Sequence, residues 1–215
     1  TPIATITLAL DAISNPKSIV VKEKVERYVK MIREENSRML SQVESVLRIS
    51  QLERSNEPIQ KSSIDFHDII KNSINHIDLI LKSKSGKLKT NFNADNSFIY
   101  GNNSHMTNIV INLLDNALKY CEQTPEVIIE TFNKDSDFIF KIKDNGIGMT
   151  PNVQKKVFEK FYRVSSGNIH NTKGHGLGLA YVKHIIDIHK GSINLESKKD
   201  KGTTIIVSVP NERLT

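Results

Sequence analysis

The stretch from Asn112 to Tyr120 carries the side chains best suited to chemistry. Asn112 and Asn116 are four residues apart and Lys119 follows three residues later, so all three fall near one face of a helix. Asparagine carbonyl oxygens are ligands for a hard cation, and a lysine neutralises phosphate charge. This face therefore indicates a site for a magnesium-bound polyphosphate. The alternative is an ordinary amphipathic helix whose amides are merely solvated.

A second group of candidates follows a predicted strand at 138–143. Asp144 would stand at the end of that strand, and Gly146 and Gly148 would let the backbone approach a flat ligand closely. A carboxylate there can accept a hydrogen bond from an exocyclic amine, which adenine carries and which guanine replaces with a carbonyl. Such a site would select ATP over GTP. The alternative is a plain Asp-Asn-Gly turn.

Glycines at alternate positions precede a helix predicted at 177–189. Gly174, Gly176 and Gly178 would leave free backbone amides at the helix start, where the helix dipole favours an anion. Their spacing differs from the dinucleotide-binding fingerprint, and no Gly-Lys-Ser or Gly-Lys-Thr follows, as a Walker loop would require. The alternative is a flexible loop with a helix cap.

The segment between these two glycine groups combines aromatic residues with a polar stretch. Phe158 and Phe161 are three residues apart and are predicted to anchor the segment on the core. The stretch 164–173 is rich in serine, glycine and asparagine and is predicted to be a mobile lid. Arg163, at the root of this lid, would reach a terminal phosphate.

Composition and charge exclude several classes of protein. The 215 residues carry a net charge of +6, with lysines and arginines spread along the whole chain, which argues against a nucleic-acid binder. A small basic group, Lys198, Lys199 and Lys201, leaves an anionic ligand or acidic partner as a secondary interpretation. The single cysteine, Cys121, excludes an internal disulfide and a cysteine cluster for zinc. No apolar run approaches the roughly 18–20 residues that span a bilayer.

Residues 1–55 are predicted to form a helical hairpin. The first helix ends near Ile13, and the second runs from about Ser18 to Arg54 after a turn. Apolar side chains in the second helix recur in alternating steps of four and three residues, as in a heptad seam, with one asparagine that could fix the register. The seam consists of Val25, Val29, Ile32, Asn36, Met39, Val43 and Val46. A lone hairpin buries such a stripe poorly, so we expect a dimeric four-helix bundle; the alternative is that the stripe packs on the following domain.

After Glu57-Pro58 the pattern changes to mixed strands and helices. Runs of β-formers and alternating apolar residues predict strands at 59–64, 87–92, 98–100, 127–133, 138–143, 192–197 and 203–209. Helical patterns predict helices at 65–82, with Asp65 as its N-cap, at 102–120 and at 177–189, the last ended by Gly191.

The motifs occur in one order: Asn-x-x-x-Asn-Ala on a helix, Asp-x-Gly-x-Gly after a strand, Phe-x-x-Phe-Tyr-Arg, a lid, and Gly-x-Gly-x-Gly opening a helix. This order resembles that of the ATP-binding domain of sensor histidine kinases, in the gyrase–chaperone–histidine-kinase superfamily, over about residues 56–211. The N-terminal hairpin resembles the dimerisation and phosphotransfer domain of that family. The resemblance implies an α+β protein, with a helical hairpin at 1–55 forming a dimeric four-helix bundle. An α/β sandwich would follow at 56–215, its mixed sheet covered by helices on one face.

The resemblance also implies a role for each motif residue, with ATP and Mg²⁺ as ligands. Asn116 would hold Mg²⁺, Asp144 would bind the adenine amine, and Gly146 and Gly148 would shape the base pocket. The other residues implied to face the nucleotide or its phosphates are Asn112, Lys119, Tyr120, Arg163, Gly174, His175, Gly176, Leu177 and Gly178.

Two positions depart from the usual family pattern, in which many members have a glycine at Lys173 and a small residue at His175. The lid geometry is therefore open, and His175 either contacts phosphate or fills space. A third position separates the kinases from hydrolysing relatives, which carry a glutamate where Asn112 stands. Since an amide is a poor general base, the resemblance implies a site that binds ATP without readily hydrolysing it.

The nucleophile that the resemblance implies is a histidine. The family pattern reads His-Glu-x-x-Thr-Pro and the sequence begins at Thr1-Pro2, so we expect a fragment whose acceptor histidine lies just upstream. Thr1 matches a residue that helps to dephosphorylate the regulator. His67 lies on a predicted helix, lacks the following proline and is interpreted as structural.

The implied activity is transfer of the γ-phosphoryl group of Mg-ATP to that histidine and then to a response-regulator aspartate. The implied partners are a second copy of the chain and a regulator receiver domain, with no nucleic acid. The expected location is the cytoplasmic part of an inner-membrane sensor whose membrane segments lie upstream. Two alternatives stay open: a nucleotide-gated ATPase or chaperone of the same superfamily, and an ATP-binding dimerisation scaffold.

Overall fold

The computed structural model describes residues 2–14, 22–54, 59–163 and 176–211. Contacts between residues divide the chain into two compact units, Thr1–Asn56 and Glu57–Thr215. Among the helices in the described ranges, none has both the length and the apolar character needed to cross a bilayer.

The first unit contains two helices, α1 (Pro2–Ser14) and α2 (Lys22–Arg54), that pack against each other. α1 ends within one residue of its predicted end, and the predicted start of α2 at Ser18 lies outside the described residues. Within the predicted seam, Val29 and Val43 remain 37% and 53% exposed. The two helices of one chain therefore leave much of this seam uncovered.

The second unit alternates strands and helices. Its described elements are β1 (Ser62–Asp65), α3 (Phe66–Ser83), β2 (Lys87–Phe92), β3 (Phe98–Gly101), α4 (Asn103–Lys119), β4 (Glu126–Lys134), β5 (Asp137–Asp144), α5 (Pro151–Lys156), α6 (Gly178–Ile188), β6 (Ser192–Lys198) and β7 (Gly202–Pro210). All the strands and long helices predicted from the sequence are present, with ends that shift by a few residues.

Five strands form one mixed sheet in the order β2-β4-β5-β7-β6. β2 pairs with β4 in parallel and the other neighbours are antiparallel, while β1 and β3 form a separate pair. One face of the sheet is buried: Phe138 of β5 packs on Phe66 of α3, with ring centroids 5.1 Å apart. On the other face Lys141 pairs with Glu130 at 2.8 Å, and both remain partly exposed. The mixed sheet with helices is thus confirmed.

Helix α4 lies in the core because its apolar residues recur every three or four positions. Its buried residues are Met106, Ile109, Val110, Leu113, Leu114, Ala117 and Leu118. Asn102 caps the helix, since its side chain accepts from the backbone N–H of His105 at 3.0 Å. The face that carries Asn112 and Asn116 stays half-buried.

Three local features refine the sequence predictions. The Asp65 side chain accepts from the backbone N–H of His67 at 2.8 Å, which confirms the predicted N-cap of α3. β1 begins at Ser62 instead of at residue 59, because pairing with β3 starts there. The short helix α5 was not predicted: six residues carry too little periodicity, although Pro151 stands at a favoured first position.

Candidate functional site

Two of the asparagines of α4, Asn112 and Asn116, lie on its half-buried side. Nδ2 of Asn112 donates to the backbone carbonyl of Asn108 at 2.7 Å, so this amide is held against its own helix. The backbone N–H of Tyr120 donates to the carbonyl of Asn116 at 3.0 Å and closes the last turn. The helix therefore has an apolar core side and a half-buried side on which the Asn112 amide is held in place. That this side binds a magnesium-bound polyphosphate stays a prediction.

The start of α6 packs directly on Asn112. A Cβ added to Gly178 would lie 2.8 Å from the Asn112 Oδ1 atom, so only glycine leaves that amide in place. Leu177 is 4% exposed, and its side chain belongs to the core. Only the backbone of Leu177 is therefore available to a ligand at this helix end.

Asp144 ends β5 with its carboxylate held by backbone donors. Its Oδ1 atom accepts from the N–H of Gly146 at 2.8 Å and from the N–H of Thr203 at 3.1 Å. Burial raises the pKa of Asp144 above its usual value, and these two hydrogen bonds act in the opposite direction. Both bonds use Oδ1, which leaves Oδ2 as the acceptor for a ligand.

Two glycines after Asp144 bring the loop against the protein's own backbone. A Cβ on Gly146 would lie 2.6 Å from the Tyr120 carbonyl oxygen, and Ile147 donates its N–H to that oxygen at 2.9 Å. Gly148 has φ +61°, and a Cβ there would lie 2.0 Å from the Lys198 carbonyl oxygen. The loop that follows Asp144 is thus fixed to Tyr120 at the end of α4.

Three polar residues meet at the C-terminal end of α4. Lys119 Nζ lies over the Tyr120 ring, 4.8 Å from its centroid. Burial lowers the pKa of Lys119, Asp115 opposes this shift, and the positive charge of Arg163 adds to it. Burial raises the pKa of Tyr120, and Arg163 opposes that shift. The positive charges of Lys119 and Arg163 therefore act on the same end of α4, an arrangement suited to an anion.

The segment before Arg163 is held by its backbone instead of by an aromatic anchor. Phe161 is 62% exposed and has φ +64°, so the prediction that its side chain packs on the core is wrong. This left-handed backbone turns the side chain outwards, while its N–H donates to the Gly176 carbonyl at 2.9 Å. Gly176 has φ +69°, and a Cβ there would lie 2.7 Å from the Tyr162 carbonyl oxygen. Phe158 is half-buried.

Several predicted residues lie outside the described part of the chain. These are Thr1, the lid at 164–173 with Lys173, and the two residues Gly174 and His175. His67 is described: its Nε2 lies 2.8 Å from Thr131 Oγ1, and its ring stacks on Phe92 at 4.6 Å. These contacts give His67 a structural role.

The sequence interpretation missed Thr203 as a member of this site. Its N–H contacts the Asp144 carboxylate, and its side chain is buried at the start of β7. The Gly202-Thr203 pair that opens the last strand was the available signal, but only the strand order places it beside β5.

The donor set fits magnesium brought in with a polyphosphate. In the described ranges no group of three or more His, Cys, Asp and Glu side chains is placed to hold a metal ion. Mg²⁺ bound to a nucleotide needs only one or two protein ligands besides phosphate and water. The neutral amide oxygen of Asn116 suits that requirement, and Lys119 and Arg163 would supply positive charge for such phosphates.

Sequence comparisons identify relatives of the whole chain. The family model described as "Histidine kinase-, DNA gyrase B-, and HSP90-like ATPase" matches residues 101–213. Sensor protein RprX of Bacteroides fragilis is 38% identical over 212 residues, which are 98% of this chain and 41% of RprX. The chain therefore spans less than half the length of this relative.

Solved structures agree with this relationship. The mycobacterial sensor histidine kinase MprB matches with a TM-score of 0.59 and 25% identity over 70% of this chain and 97% of that chain. Histidine kinase ThkA, solved in complex with the response regulator TrrA, matches with a TM-score of 0.75 and 17% identity over 99% of this chain and 58% of that chain, a likeness of fold alone. Because the family match covers more than half of the 215 residues, the chain belongs to the histidine kinase-, DNA gyrase B- and HSP90-like ATPase family, and its relatives include sensor histidine kinases.

Proposed function

We propose that this chain is the catalytic region of a sensor histidine kinase, which binds Mg-ATP and transfers its γ-phosphoryl group to a histidine. In this transfer the bond from the γ-phosphorus to the ADP oxygen breaks and a bond to an imidazole nitrogen forms. A response-regulator aspartate then receives the group. The observation that carries the proposal is the half-buried Asp144 carboxylate, which two backbone N–H groups hold in the loop that contacts the end of the helix bearing Asn116 and Lys119.

Asp144 recognises the base. Its Oδ2 atom accepts a hydrogen from the exocyclic amine of adenine, while Oδ1 is held by Gly146 and Thr203. A guanine carbonyl at the same place would set one acceptor against another in a partly buried site, where such a mismatch is costly. The pocket therefore selects adenine nucleotides.

The phosphates lie towards the end of α4. Lys119 and Arg163 neutralise the phosphate oxygens, and the Asn116 amide oxygen holds the magnesium ion. Magnesium, when bound, neutralises charge that develops on the transferring group. The protein contributes mainly position and electrostatics, because phosphoryl transfer needs little covalent help from the enzyme.

Asn112 distinguishes transfer from hydrolysis. A hydrolysing site needs a base that takes a proton from water, and an amide cannot do so. Nδ2 of Asn112 already donates to the Asn108 carbonyl, and its Oδ1 faces Gly178. The site therefore retains ATP until a histidine is presented.

The wider assembly is part of the same proposal. The exposed seam on α2, including Val43, supports a homodimer through a four-helix bundle. In the intact protein, the phosphorylated acceptor histidine passes its phosphoryl group to the receiver domain of a response regulator. Thr1 assists the opposing reaction, in which the regulator is dephosphorylated. This region acts in the cytoplasm as part of a membrane sensor.

Calorimetry with purified chain tests the nucleotide site. We expect magnesium-dependent binding of ATP, weaker binding of GTP and very slow steady-state hydrolysis. Equal affinity for the two nucleotides would refute the base site, and rapid hydrolysis that is lost in Asp144→Asn would point to an ATPase.

A second assay tests the transfer itself. A partner hairpin protein that carries an acceptor histidine, with its own ATP site inactivated, is mixed with this chain and labelled ATP. Label should appear on the partner histidine. Binding of ATP without transfer under any condition would refute the kinase assignment and favour a scaffold.

A further inference from the structure

Three side chains form a row across three neighbouring strands on the helix-covered face of the sheet. Ser197 of β6 is paired with Thr203 of β7. Lys143 of β5 is paired with Thr204 of β7, which sets Asp144 beside Thr203, and the Thr203 N–H donates to Asp144 Oδ1 at 3.1 Å. Ser197 on β6 and the Asp144 carboxylate on β5 are thus separated by strand β7, where Thr203 lies between them.

The hydroxyl of Ser197 has a complete set of hydrogen bonds. It accepts from the backbone N–H of Met149 at 2.8 Å and donates to the carbonyl oxygen of Gly202 at 2.9 Å. Its oxygen also lies 2.9 Å from Thr203 Oγ1. A hydroxyl has one hydrogen, and a carbonyl oxygen only accepts, so the Ser197 hydrogen is used on Gly202. This use of the Ser197 hydrogen assigns the donor role in the Ser197–Thr203 contact to Thr203.

This direction fixes the chemical character of the Thr203 hydroxyl. With its hydrogen given to Ser197, Thr203 Oγ1 offers only lone pairs to any other group. The neighbouring Asp144 carboxylate, when ionised, also offers only lone pairs. This edge of the site therefore consists of acceptors, and a ligand group placed there has to donate.

We propose that Ser197 is a positioning residue that makes the site exclude 6-oxopurine nucleotides. It acts through Thr203, by holding that hydroxyl so that it cannot turn its hydrogen towards a ligand carbonyl. The inference rests on the proposed function, in which Asp144 receives the adenine amine. It adds a specificity residue that touches neither the nucleotide nor the carboxylate.

Ser197 also supports the loop after Asp144, and this structural role has to be separated from the proposed one. Its carbonyl accepts from Gln154 Nε2 at 2.8 Å, and its hydroxyl holds Met149. Loss of support alone would weaken the binding of every nucleotide by a similar factor. Loss of the Thr203 constraint would instead change the preference between two bases.

The experiment compares ATP with inosine triphosphate, which has a carbonyl at position 6 and lacks the 2-amino group of guanine. Dissociation constants with Mg²⁺ are measured by displacement of a fluorescent ATP analogue from the whole chain. The variants are Ser197→Ala, Ser197→Thr, which retains a hydroxyl, and Ser208→Ala. Ser208 bonds to Asp137 on the same sheet, remote from Asp144, and so controls for loss of a serine hydrogen bond.

We expect the preference for ATP over inosine triphosphate to fall about tenfold in Ser197→Ala, mainly through tighter binding of inosine triphosphate. Ser197→Thr and Ser208→Ala should keep the wild-type preference. Equal weakening of both nucleotides in Ser197→Ala would overturn the inference and leave only the loop-supporting role.

A second variant keeps the inference testable if Ser197→Ala does not fold. Thr203→Val removes the acceptor itself and should lower the same preference. A folded Thr203→Val that retains the full preference would overturn the inference. Wild-type protein that binds neither nucleotide would overturn the proposed function together with it, whereas intact selectivity in Ser197→Ala removes the inference alone.

Discussion

The Oδ1 atom of Asn112 lies 2.8 Å from the position that a Cβ on Gly178 would occupy. This close approach joins α4 to the first residue of α6. The nitrogen of the same amide donates to the Asn108 carbonyl at 2.7 Å, which holds Oδ1 towards Gly178. The Asn112 side chain is therefore one point at which the two helices that frame the proposed phosphate site meet, and a Cβ on residue 178 would displace it.

Gly178→Ala is expected to displace the Asn112 amide and to weaken Mg-ATP binding about tenfold. Stability should change little, by about 1 kcal/mol or less, because a side-chain end can move aside and alanine favours a helix more than glycine. Calorimetry of ATP binding and thermal unfolding of the same samples measure the two effects.

Gly191→Ala is the matched control for this substitution. A Cβ at Gly191 would lie 2.3 Å from the carbonyl oxygen of Ser208, which belongs to a paired strand and cannot move aside. We expect a loss of about 1–3 kcal/mol in unfolding free energy but unchanged ATP affinity of the folded protein. Full ATP affinity in Gly178→Ala would contradict the role given to the Asn112 contact.

Asp144→Asn is expected to remove ATP binding and yet to stabilise the nucleotide-free protein at neutral pH. Burial raises the pKa of Asp144, so keeping this group ionised opposes folding. The asparagine oxygen can still accept from the backbone of Gly146 and Thr203. The charge of this half-buried carboxylate is thus removed while both hydrogen bonds remain.

The pH dependence gives the sign of this effect. A carboxyl whose folded pKa lies above its unfolded pKa favours the folded state at low pH, and that contribution is lost as pH rises through the folded value. The melting temperature of Asp144→Asn should therefore match wild type below about pH 4 and exceed it increasingly towards neutrality. A variant that is less stable at every pH, or that still binds ATP, would contradict the assignment.

Much of the second unit follows from local sequence patterns. The spacing of Met106, Ile109 and Leu113 fixes the buried side of α4 and so places its amides on the opposite side. The alternation in β5 ends at Asp144, which stands where the strand pattern predicted. These features depend on residues close together in the chain, and sequence periodicity reports them well.

Features that depend on distant pairing were not accessible from the sequence. Thr203 contacts Asp144, and Ser197 contacts Thr203, only because β7 lies between β5 and β6, and periodicity within one strand does not encode that order. The exposure of Phe161 follows from its own left-handed backbone conformation, which a phenylalanine in the sequence does not predict. The helix α5 is not predicted because its six residues are too few to show a helical periodicity.

Val43→Glu tests the dimer proposed for the first unit. Val43 is exposed in a single chain and lies in the heptad seam, so a second copy would bury it. A buried, unpaired carboxylate should shift a wild-type dimer towards monomer in analytical ultracentrifugation. Leu79→Glu, at an 81% exposed position of α3, controls for the added charge. A monomeric wild-type chain at high micromolar concentration would contradict the four-helix bundle.

Asn116→Ala tests the magnesium ligand. The substitution should leave the fold intact, because Asn116 is half-buried near the end of α4 and alanine favours a helix. ATP affinity measured in Mg²⁺ should fall about tenfold or more, while affinity measured with a chelator should stay near that of wild type. The increase in affinity that wild type gains from magnesium would then be absent from the variant.

Asn108→Ala is the control for that experiment, two turns earlier on the same side of α4. Its backbone carbonyl, which holds Asn112, is retained in the variant, so its binding should still respond to magnesium. If Asn116→Ala also keeps the full magnesium response, the metal is held by other groups. The amide of Asn116 would then have only a packing role. A general loss of affinity would lower ATP binding both with Mg²⁺ and with a chelator, whereas loss of a magnesium ligand lowers only the affinity measured with Mg²⁺.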